Sequence, residues 1–424
     1  MRAPTRLGLV VLFLVVIGAA APGAQPAAPA TPGADWPLWG GPNRDFVSPV
    51  TGLLPSWPAT GPAKIWSRTL GEGHSAPAIE GRRLYTMYSN ATGEVVAALD
   101  ATTGKTLWEH SYRTGFADTG GGDIGNGPFA MPQVVGERLV TVGGTGRLYS
   151  LDKRTGRPVW THDLYEEFGA SRMRFGYSCH ALPYKDLLIM SIGGSGKSLI
   201  AFNQADGKVV WARHSFPNSH SSPLLITVDG QPQVVAMMGQ QVVAVEPMTG
   251  TLLWTHAHPT QYDLAISTPS WGPDNILVVS SSYEGGTRAL HLKQAGGKTT
   301  VNQLWHNPRI RVHIGTMIRV GGTIYGASGH DGPAPITAFE VKTGKVLWHS
   351  GREFAKAQLV YADGKLIVLD QDGVLALTTP TPTALTVQSK VQLLTKVAWA
   401  PPVLAGSNLY IRDRKTIMAL KVGA

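Results

Sequence analysis

A short pattern that recurs along the chain limits its possible folds more than any other feature. An acidic or amide residue is followed four positions later by Gly, and four positions after that by Trp. The five copies lie at 98–108, 150–160, 201–211, 244–254 and 338–348. Together with Trp66 and Trp305, the tryptophans at 66, 108, 160, 211, 254, 305 and 348 are 42 to 52 residues apart. A period of about 40–50 residues is typical of stacked or circular repeat proteins.

Each copy of the pattern predicts a β-hairpin. The acidic or amide side chain can accept hydrogen bonds from turn amides, and the Gly supplies the positive φ that closes the turn. The Trp then lies on the returning strand, where we expect it to pack against the neighbouring unit. A second pair of strands precedes each copy, as 75–79 and 83–88 precede the first. Four strands per repeat, arranged radially, form a β-propeller blade.

The number of repeats predicts eight blades. Six intervals separate the seven tryptophans, and a seventh repeat ends near residue 394. Residues 402–422 then supply only three strands, and a strand at 64–69 can complete them. We therefore predict an all-β, eight-bladed β-propeller of four-stranded antiparallel blades over residues 63–424, with the ring closed by the N-terminal strand joining the C-terminal blade. Closure would remove exposed sheet edges; an open β-solenoid is the alternative.

Composition agrees with this fold and narrows the function. The chain has 50 Gly, 30 Pro and only 15% charged residues, which disfavours long helices and favours strands joined by tight turns. Its net charge of +9 is not concentrated in any basic run, so we expect no nucleic acid partner. Cys179 is the single cysteine, which excludes an intramolecular disulfide and a cysteine-based zinc site.

The N-terminus has the pattern of an export signal. Arg2 and Arg6 precede an apolar run at 7–20, and small residues at 19–24 offer a cleavage site. We predict a signal peptide over 1–24, followed by a Pro/Ala tether and N-terminal arm over 25–62. The mature chain is then exported to the periplasm or the extracellular space with no transmembrane span. An uncleaved leader that tethers the protein to the membrane is the alternative.

The repeat resembles the pyrroloquinoline quinone (PQQ) repeat of quinoprotein alcohol dehydrogenase-like propellers, over most of residues 36–422. The segments Trp36–Arg44 and Gly73–Pro77 are similar to those of an exported PQQ-binding-like subgroup. The same repeat also occurs in outer-membrane protein assembly factor B, a non-enzymatic scaffold. The resemblance therefore implies the fold and leaves the function open.

In the quinoprotein enzymes the propeller funnel holds PQQ, and the repeat register indicates which residues line it here. Pro77 marks one position of the innermost strand in each blade. Three residues before the marker, the blades carry His74, Phe129, His180, His220, Ile266, Ile314, Lys356 and Trp399. Strand alternation would turn these side chains the same way, toward the channel. The histidines could instead serve only to hydrogen-bond neighbouring inner strands.

We predict a polar, mildly basic ligand site from this ring and from residues next to it. The candidate ligand-binding residues are His74, Arg174, Tyr177, His180, His220, His313, Lys356 and Trp399. Lys, Arg and His side chains could bind the carboxylates of PQQ.

The resemblance implies PQQ with Ca²⁺, but two features of the enzymes are missing. The ring contains no carboxylate, whereas Ca²⁺ prefers about 6–8 oxygen ligands, several of them carboxylates. Cys179 also lacks the adjacent cysteine that many of these enzymes carry. Asp118, Asp123 and Asn126 lie in a Gly-rich loop that could ligate a cation or could simply connect two blades. No cofactor is therefore assigned, and no residue is assigned a catalytic role.

Three functions remain open. The first is an exported non-enzymatic propeller, monomeric, that binds a ligand or an envelope protein at its funnel face. The second is a PQQ-dependent alcohol dehydrogenase-type oxidoreductase with calcium ligands from a loop such as 118–126. The third is a scaffold for outer-membrane protein assembly. The sequence identifies neither the ligand nor the partner.

Overall fold

The computed structural model describes Met1 and residues 35–115, 124–125, 127–330 and 332–423. The chain divides into a small unit, Met1–Ala30, and a large unit, Thr31–Ala424. Apart from Met1, the small unit lies outside the described residues, and so does the predicted signal peptide. The described part of the large unit contains eight four-stranded antiparallel sheets, each of which is one blade.

The strands of each blade follow one another along the chain. Blades 1 to 4 contain the following strands: Ala78–Glu80, Arg83–Asn90, Gly93–Asp100 and Thr106–Tyr112; Gln133–Val135, Arg138–Val142, Arg147–Asp152 and Pro158–Asp163; Leu182–Tyr184, Leu187–Ser191, Leu199–Asn203 and Val209–Arg213; Leu224–Val228, Gln231–Met238, Gln241–Val245 and Leu252–Ala257. Blades 5 to 7 contain the following strands: Ser270–Trp271, Ile276–Ser281, Gly286–Ala295 and Lys298–Asn307; Ile318–Val320, Thr323–Ala327, Ile336–Glu340 and Val346–His349; Gln358–Ala362, Lys365–Leu369, Val374–Pro380 and Leu385–Gln392.

Blade 8 confirms the predicted closure of the ring. Val403–Ala405, Asn408–Arg412 and Thr416–Lys421 are its first three strands, and Ala63–Thr69 is the fourth. The N-terminal strand pairs antiparallel with Thr416–Lys421, so that both ends of the propeller share one sheet. The fold is thus the predicted eight-bladed, almost entirely β-propeller.

Burial shows which strands are outermost. The third strand of blade 1, Gly93–Asp100, is buried along almost its whole length, whereas Thr106–Tyr112 alternates between exposed and half-buried residues. An alternating pattern is expected where one face of a strand packs on a neighbour and the other meets water. The fourth strand, which is the returning strand that carries the Trp, therefore lies at the outer rim.

The repeated pattern joins each blade to the next. Asp100 Oδ1 accepts hydrogen bonds from the backbone N–H groups of Thr102 (3.0 Å) and Thr103 (2.9 Å), which fixes the turn. Trp66 of blade 8 packs over Gly104, and its indole N–H donates to the carbonyl of Ala101 (2.9 Å). The same indole-to-carbonyl bond joins Trp108, Trp160, Trp211, Trp305 and Trp348 to the next blade.

Trp254 is the exception, and the sequence explains why. Blade 5 lacks the pattern, and its outer hairpin turns through Gly296 and Gly297 between two ten-residue strands. No equivalent carbonyl is therefore presented to Trp254. Its indole N–H donates instead to Oε1 of Gln233 in its own blade (2.7 Å).

Helical structure is confined to two short elements in the described ranges. Leu164–Phe168 is an α-helix capped by Asp163, whose carboxylate accepts from the backbone N–H groups of Tyr165 and Glu166. Gln261–Asp263 is a 3₁₀ turn. Within the part of the chain that is described, no helix has the length and apolar character needed to span a bilayer.

The described arm, residues 35–62, crosses the central channel at one end. Trp36 exchanges two backbone hydrogen bonds with Ile79 on the first strand of blade 1 (2.9 and 3.0 Å). Further along, the backbone N–H of Ser48 donates to the carbonyl of Tyr361 on the first strand of blade 7 (2.8 Å). Between these points the indole N–H of Trp39 donates to Oγ1 of Thr268, just before blade 5 (2.9 Å). The arm thus contacts blades on different sides of the ring and closes this end of the channel.

Candidate functional site

A cavity of about 270 Å³ lies at the centre of the ring. All eight residues of the predicted register line it, one from each blade. They are His74, Phe129, His180, His220, Ile266, Ile314, Lys356 and Trp399. The repeat therefore places one side chain per blade at a common centre.

The position of these residues relative to the strands was predicted wrongly. His74 was placed on the innermost strand of blade 1, which begins only at Ala78. Lys356 likewise precedes the strand that begins at Gln358. The ring lies on the segments that lead into the first strands. Contacts with neighbouring segments, and not strand alternation, direct these side chains.

His180 shows how such a side chain is held. The backbone N–H of Met131 in blade 2 donates to its Nε2 (2.8 Å), so Nδ1 carries the proton and donates to Oγ of Ser222 in blade 4 (2.6 Å). Its ring is stacked on the indole of Trp39, with centroids 4.2 Å apart. Both nitrogens are therefore occupied by inter-blade bonds, as the structural interpretation of the ring anticipated.

Among the described residues, His74, His220 and His313 make fewer side-chain hydrogen bonds than His180 does. Nε2 of His74 lies 2.7 Å from the carbonyl oxygen of Ile124, and the ring stacks on Phe129. Nδ1 of His220 is hydrogen-bonded to Oγ of Ser178 (2.9 Å). His313 lies edge-on to Tyr283 at 5.1 Å. Three buried polar atoms of the lining have no hydrogen-bond partner: Nδ1 of His74, Nδ1 of His313 and Oγ of Ser267.

Two candidate residues do not line the cavity. Tyr177 is fully buried in the core between blades, where its hydroxyl donates to the carbonyl of Ile192 (3.0 Å). Arg174 is exposed, and its guanidinium lies over the ring of Phe175 at 5.3 Å. Phe175 itself does reach the cavity, so the loop before His180 contributes a different side chain from the two predicted. The structure brings together the other six candidates.

Among the lining residues that were not predicted, four carry aromatic or imidazole rings: Trp39, Phe175, Tyr283 and His330. Trp39 lies on the arm, outside the repeat, and no periodicity relates it to the ring. His330 follows the second strand of blade 6 and lies outside the predicted register. Tyr283 lies in the turn between two strands of blade 5, and its ring is 4.8 Å from that of His330. For Tyr283 and His330, the only available signal is the presence of an aromatic or His residue in a turn between two strands of a blade.

Burial controls the charge of the cavity. Desolvation lowers the pKa of His74 and His220 to about 4 and that of His180 and His313 to about 3. The charge of Arg44 adds to the effect at His180, and that of Lys356 adds to it at His313. These imidazoles are therefore neutral at pH 7. In the described lining, Lys356 is the only side chain of a type that is charged at that pH.

The lining that the structure describes does not fit calcium-bound PQQ. It contains neither Asp nor Glu, and the described residues include no group of three or more His, Cys, Asp or Glu that could hold a metal ion. Because Ca²⁺ takes oxygen ligands with several carboxylates, this donor set does not suit it. Asp118, Asp123, Asn126 and Asp331 lie outside the described residues. Ile124, which is described, lines the cavity.

The eight four-stranded blades and the central cavity define a PQQ-like β-propeller. The family model described as PQQ_2, Outer membrane protein assembly factor BamB, matches residues 40–119 and 91–350. The chain belongs to this family.

Curated relatives are dehydrogenases that match only part of the chain. A polyvinylalcohol dehydrogenase of Pseudomonas sp. is 24% identical over 240 residues, which cover 51% of this chain and 33% of that protein. The dehydrogenase subunit of a quinone alcohol dehydrogenase of Gluconacetobacter polyoxogenes is 29% identical over 145 residues, 32% of this chain and 19% of that subunit. The chain therefore spans a third or less of the length of these relatives.

Solved structures of a BamB protein and of a quinohemoprotein alcohol dehydrogenase share the fold. BamB from Moraxella catarrhalis superposes with a TM-score of 0.60 at 19% identity, covering 85% of this chain and 99% of that one. The quinohemoprotein alcohol dehydrogenase of Comamonas testosteroni superposes with a TM-score of 0.63 at 13% identity, covering 93% and 81%. At these identities the similarity shows the fold alone.

Proposed function

We propose that this protein is an exported, non-enzymatic PQQ-like propeller that binds a small organic ligand in its central cavity. The observation that carries the proposal is that one residue from every blade lines a single cavity of about 270 Å³. A predicted leader at 1–24 supports export. We expect a monomer, because the N-terminal strand already occupies the outer edge of the last blade.

The chemistry of the lining indicates the class of ligand. Trp39, Phe129, Phe175, Tyr283 and Trp399 offer ring surfaces, and planar ligands bind such surfaces by stacking. Neutral imidazoles can donate or accept hydrogen bonds. Lys356 adds a cationic side chain to the wall, which can donate hydrogen bonds to an acidic group of the ligand. A planar, largely apolar molecule with a single acidic group fits these walls best.

Binding can be tested with 8-anilinonaphthalene-1-sulfonate, a planar aromatic probe with one sulfonate. We expect saturable binding at one site per chain, followed by probe fluorescence. Lys356→Gln should weaken this binding at least tenfold. Ile266→Trp should abolish it by filling the cavity. Lys345→Gln removes the same charge at an exposed turn and is the matched control, which should bind like the unmodified protein. Equal binding by all four proteins would place the probe elsewhere and overturn the proposal.

The enzymatic alternative has a separate test. The curated relatives are dehydrogenases, so the protein should be incubated with PQQ and Ca²⁺ and assayed for alcohol-dependent dye reduction. We expect no turnover, because the described lining offers no carboxylate to hold calcium. Measurable turnover would overturn the non-enzymatic proposal. Loss of that turnover in an Asp118→Asn, Asp123→Asn double variant would locate the missing ligands in the 118–126 loop.

A scaffold at the outer membrane is the second candidate function, and the family match favours it. Such a role needs a protein-binding surface and does not need the cavity. Crosslinking in cell envelopes distinguishes the two candidates. Under our proposal no barrel-assembly protein is recovered with the chain. Recovery of such a partner by the unmodified protein and equally by Ile266→Trp would favour the scaffold.

A further inference from the structure

A second region, formed by the turn of the arm at residues 40–46, has features of a binding site. The turn is closed by backbone hydrogen bonds from Arg44 N–H to the carbonyl of Gly41 (3.1 Å) and from Phe46 N–H to that of Gly40 (2.9 Å). Arg44 and Phe46 both adopt left-handed backbone conformations, with φ of 61° and 60°. Non-glycine residues in this region carry strain, and such residues concentrate at functional sites. The strained turn fixes where the Arg44 side chain lies.

Arg44 is half-buried, and its guanidinium lacks the partners that such a charge normally has. Its Nη2 is buried and has no hydrogen-bond partner, and none of the ion pairs among the described residues includes Arg44. The neighbouring Asp45 forms no ion pair with it, and Oδ1 of Asp45 accepts from the backbone N–H of Val47 (3.0 Å). Burial lowers the pKa of Arg44 to about 10, so the group remains charged at neutral pH. A half-buried cation without an ion-pair partner among the described residues carries a desolvation cost in the folded state.

A cavity of about 340 Å³ is lined by Arg44. Asn43 and Arg44 of the arm line it, together with Leu224 of blade 4 and Ser270 and Trp271 of blade 5. It is distinct from the central cavity, although Thr268 lines both. The arm therefore separates two cavities, and Arg44 lines the second one.

We infer that Arg44 is the centre of an oxyanion-binding site between the arm and blades 4 and 5, which takes a carboxylate or phosphate group. The planar guanidinium presents paired donors that match both groups. Asn43 and Ser270 supply further hydrogen-bonding capacity, and Trp271 borders the cavity as an apolar wall. Asp45 also lines the cavity, which favours singly over multiply charged ligands. A bound anion would supply the missing partner of the buried guanidinium.

Thermal stability provides the test, because a ligand that binds only the folded state raises Tm. The probes are inorganic phosphate and acetate, each compared with chloride at equal ionic strength and pH. We expect the Tm of the unmodified protein to rise by several degrees with millimolar phosphate, acetate or both, and not with chloride. A response to phosphate alone assigns a phosphate ester as the ligand, and a response to both assigns oxyanions in general.

Two variants locate the effect. Arg44→Gln should lose the anion-dependent rise in Tm while folding normally in chloride, because it removes a desolvated charge. Arg309→Gln removes an exposed arginine and is the matched control, which should keep the full rise. An unmodified protein that responds equally to all three anions, or an Arg44→Gln protein that responds like the unmodified one, would overturn the inference. The central cavity is monitored independently by its aromatic probe, so failure of one site does not imply failure of the other.

Discussion

The indole of Trp39 lies parallel to the imidazole of His180, with ring centroids 4.2 Å apart and an angle of 14° between the planes. The two residues are 141 positions apart in sequence and come from different parts of the fold, the arm and the segment before blade 3. His180 is fixed in turn by bonds to blades 2 and 4. The stack therefore attaches the closing arm to an inter-blade network and forms part of the cavity wall.

Replacing Trp39 tests this attachment. Trp39→Ala removes both the stack and the hydrogen bond to Thr268, and we expect a loss of about 2–3 kcal/mol of unfolding free energy, below the roughly 3–5 kcal/mol of a fully buried Trp. Trp39→Phe keeps a ring against His180 and should lose about 1 kcal/mol, the usual contribution of one hydrogen bond. Urea denaturation measures both. Equal losses in the two variants would show that the stack contributes nothing.

Five of the tryptophans pack on a Gly of the next blade, and this contact gives a second prediction. Gly104 has φ of 70°, and a Cβ added there would lie 2.7 Å from Cε3 of Trp66. Gly81 of the same blade has φ of 55°, but a Cβ there would meet nothing within 4 Å. Gly81→Ala should therefore cost only the strain of a left-handed residue, about 1–2 kcal/mol. Gly104→Ala should cost about 1–3 kcal/mol more through overpacking.

The comparison of these two unfolding free energies isolates the Trp contact, since both positions share the backbone strain. A difference within experimental error would mean that the indole shifts freely. It would then follow that the pattern at 98–108 stabilises its own turn rather than the contact between blades.

Most of the fold could be predicted because residues at equivalent positions of the repeat occupy equivalent positions in successive blades. The interval between tryptophans fixed the blade number, and the three strands at the C-terminus required the strand containing Trp66. The same register brought the eight residues from His74 to Trp399 to one cavity. Even a wrong assignment of those residues to strands did not matter, because a circular repeat superimposes equivalent positions wherever they lie in the blade.

The rest of the site could not be predicted, since it depends on contacts that no period describes. Trp39 meets Thr268 across 229 residues of sequence, through an arm that has no counterpart in the blades. Tyr177 lies three residues before His180, yet its hydroxyl is bonded to the carbonyl of Ile192, so the ring turns into the core. Neighbouring positions in an irregular loop can thus face opposite ways, and only the packing decides between them.

Arg412, on the second strand of blade 8, joins the last blade to blade 1. Its replacement gives a third prediction. The fully buried guanidinium donates to the carbonyls of Gly73 (3.0 Å) and Met87 (2.9 Å) in blade 1. Arg412→Met leaves these acceptors without that donor, and we expect a loss of about 2–4 kcal/mol, since each unsatisfied buried group costs about 1–3 kcal/mol. Arg157→Met, at an exposed turn, is the control and should change the unfolding free energy little. Similar values for both variants would contradict a closing role.

The single thiol offers a fourth prediction. Cys179 is fully buried, its Sγ–H donates to the carbonyl of Ser219, and burial raises its pKa to about 12. Because the thiolate is the reactive form, the folded protein should not react with 5,5′-dithiobis(2-nitrobenzoic acid) at pH 8. One thiol per chain should react in 6 M guanidinium chloride. Rapid reaction without denaturant would show that the segment between Tyr177 and His180 opens readily.

The buried histidines make stability depend on pH, with a direction set by their pKa shifts. His74, His180, His220 and His313 have folded pKa values of about 3 to 4, below the ordinary value of about 6.5. At pH values between the folded and the ordinary pKa, the unfolded chain binds more protons than the folded one. The unfolding free energy therefore rises with pH and falls on acidification. His258, whose pKa burial lowers to about 3, acts in the same direction.

We therefore expect full stability above about pH 6.5 and a loss on the order of 1 kcal/mol per histidine for each pH unit below it, until the folded pKa is reached. Urea denaturation at pH 4.5 to 7.5 measures the slope. A His220→Asn, His313→Asn double variant should show a visibly shallower slope, because two of the imidazoles no longer take up protons on unfolding. A flat profile in the unmodified protein would mean that these imidazoles titrate normally in the fold, and that water reaches the cavity wall more freely than their burial implies.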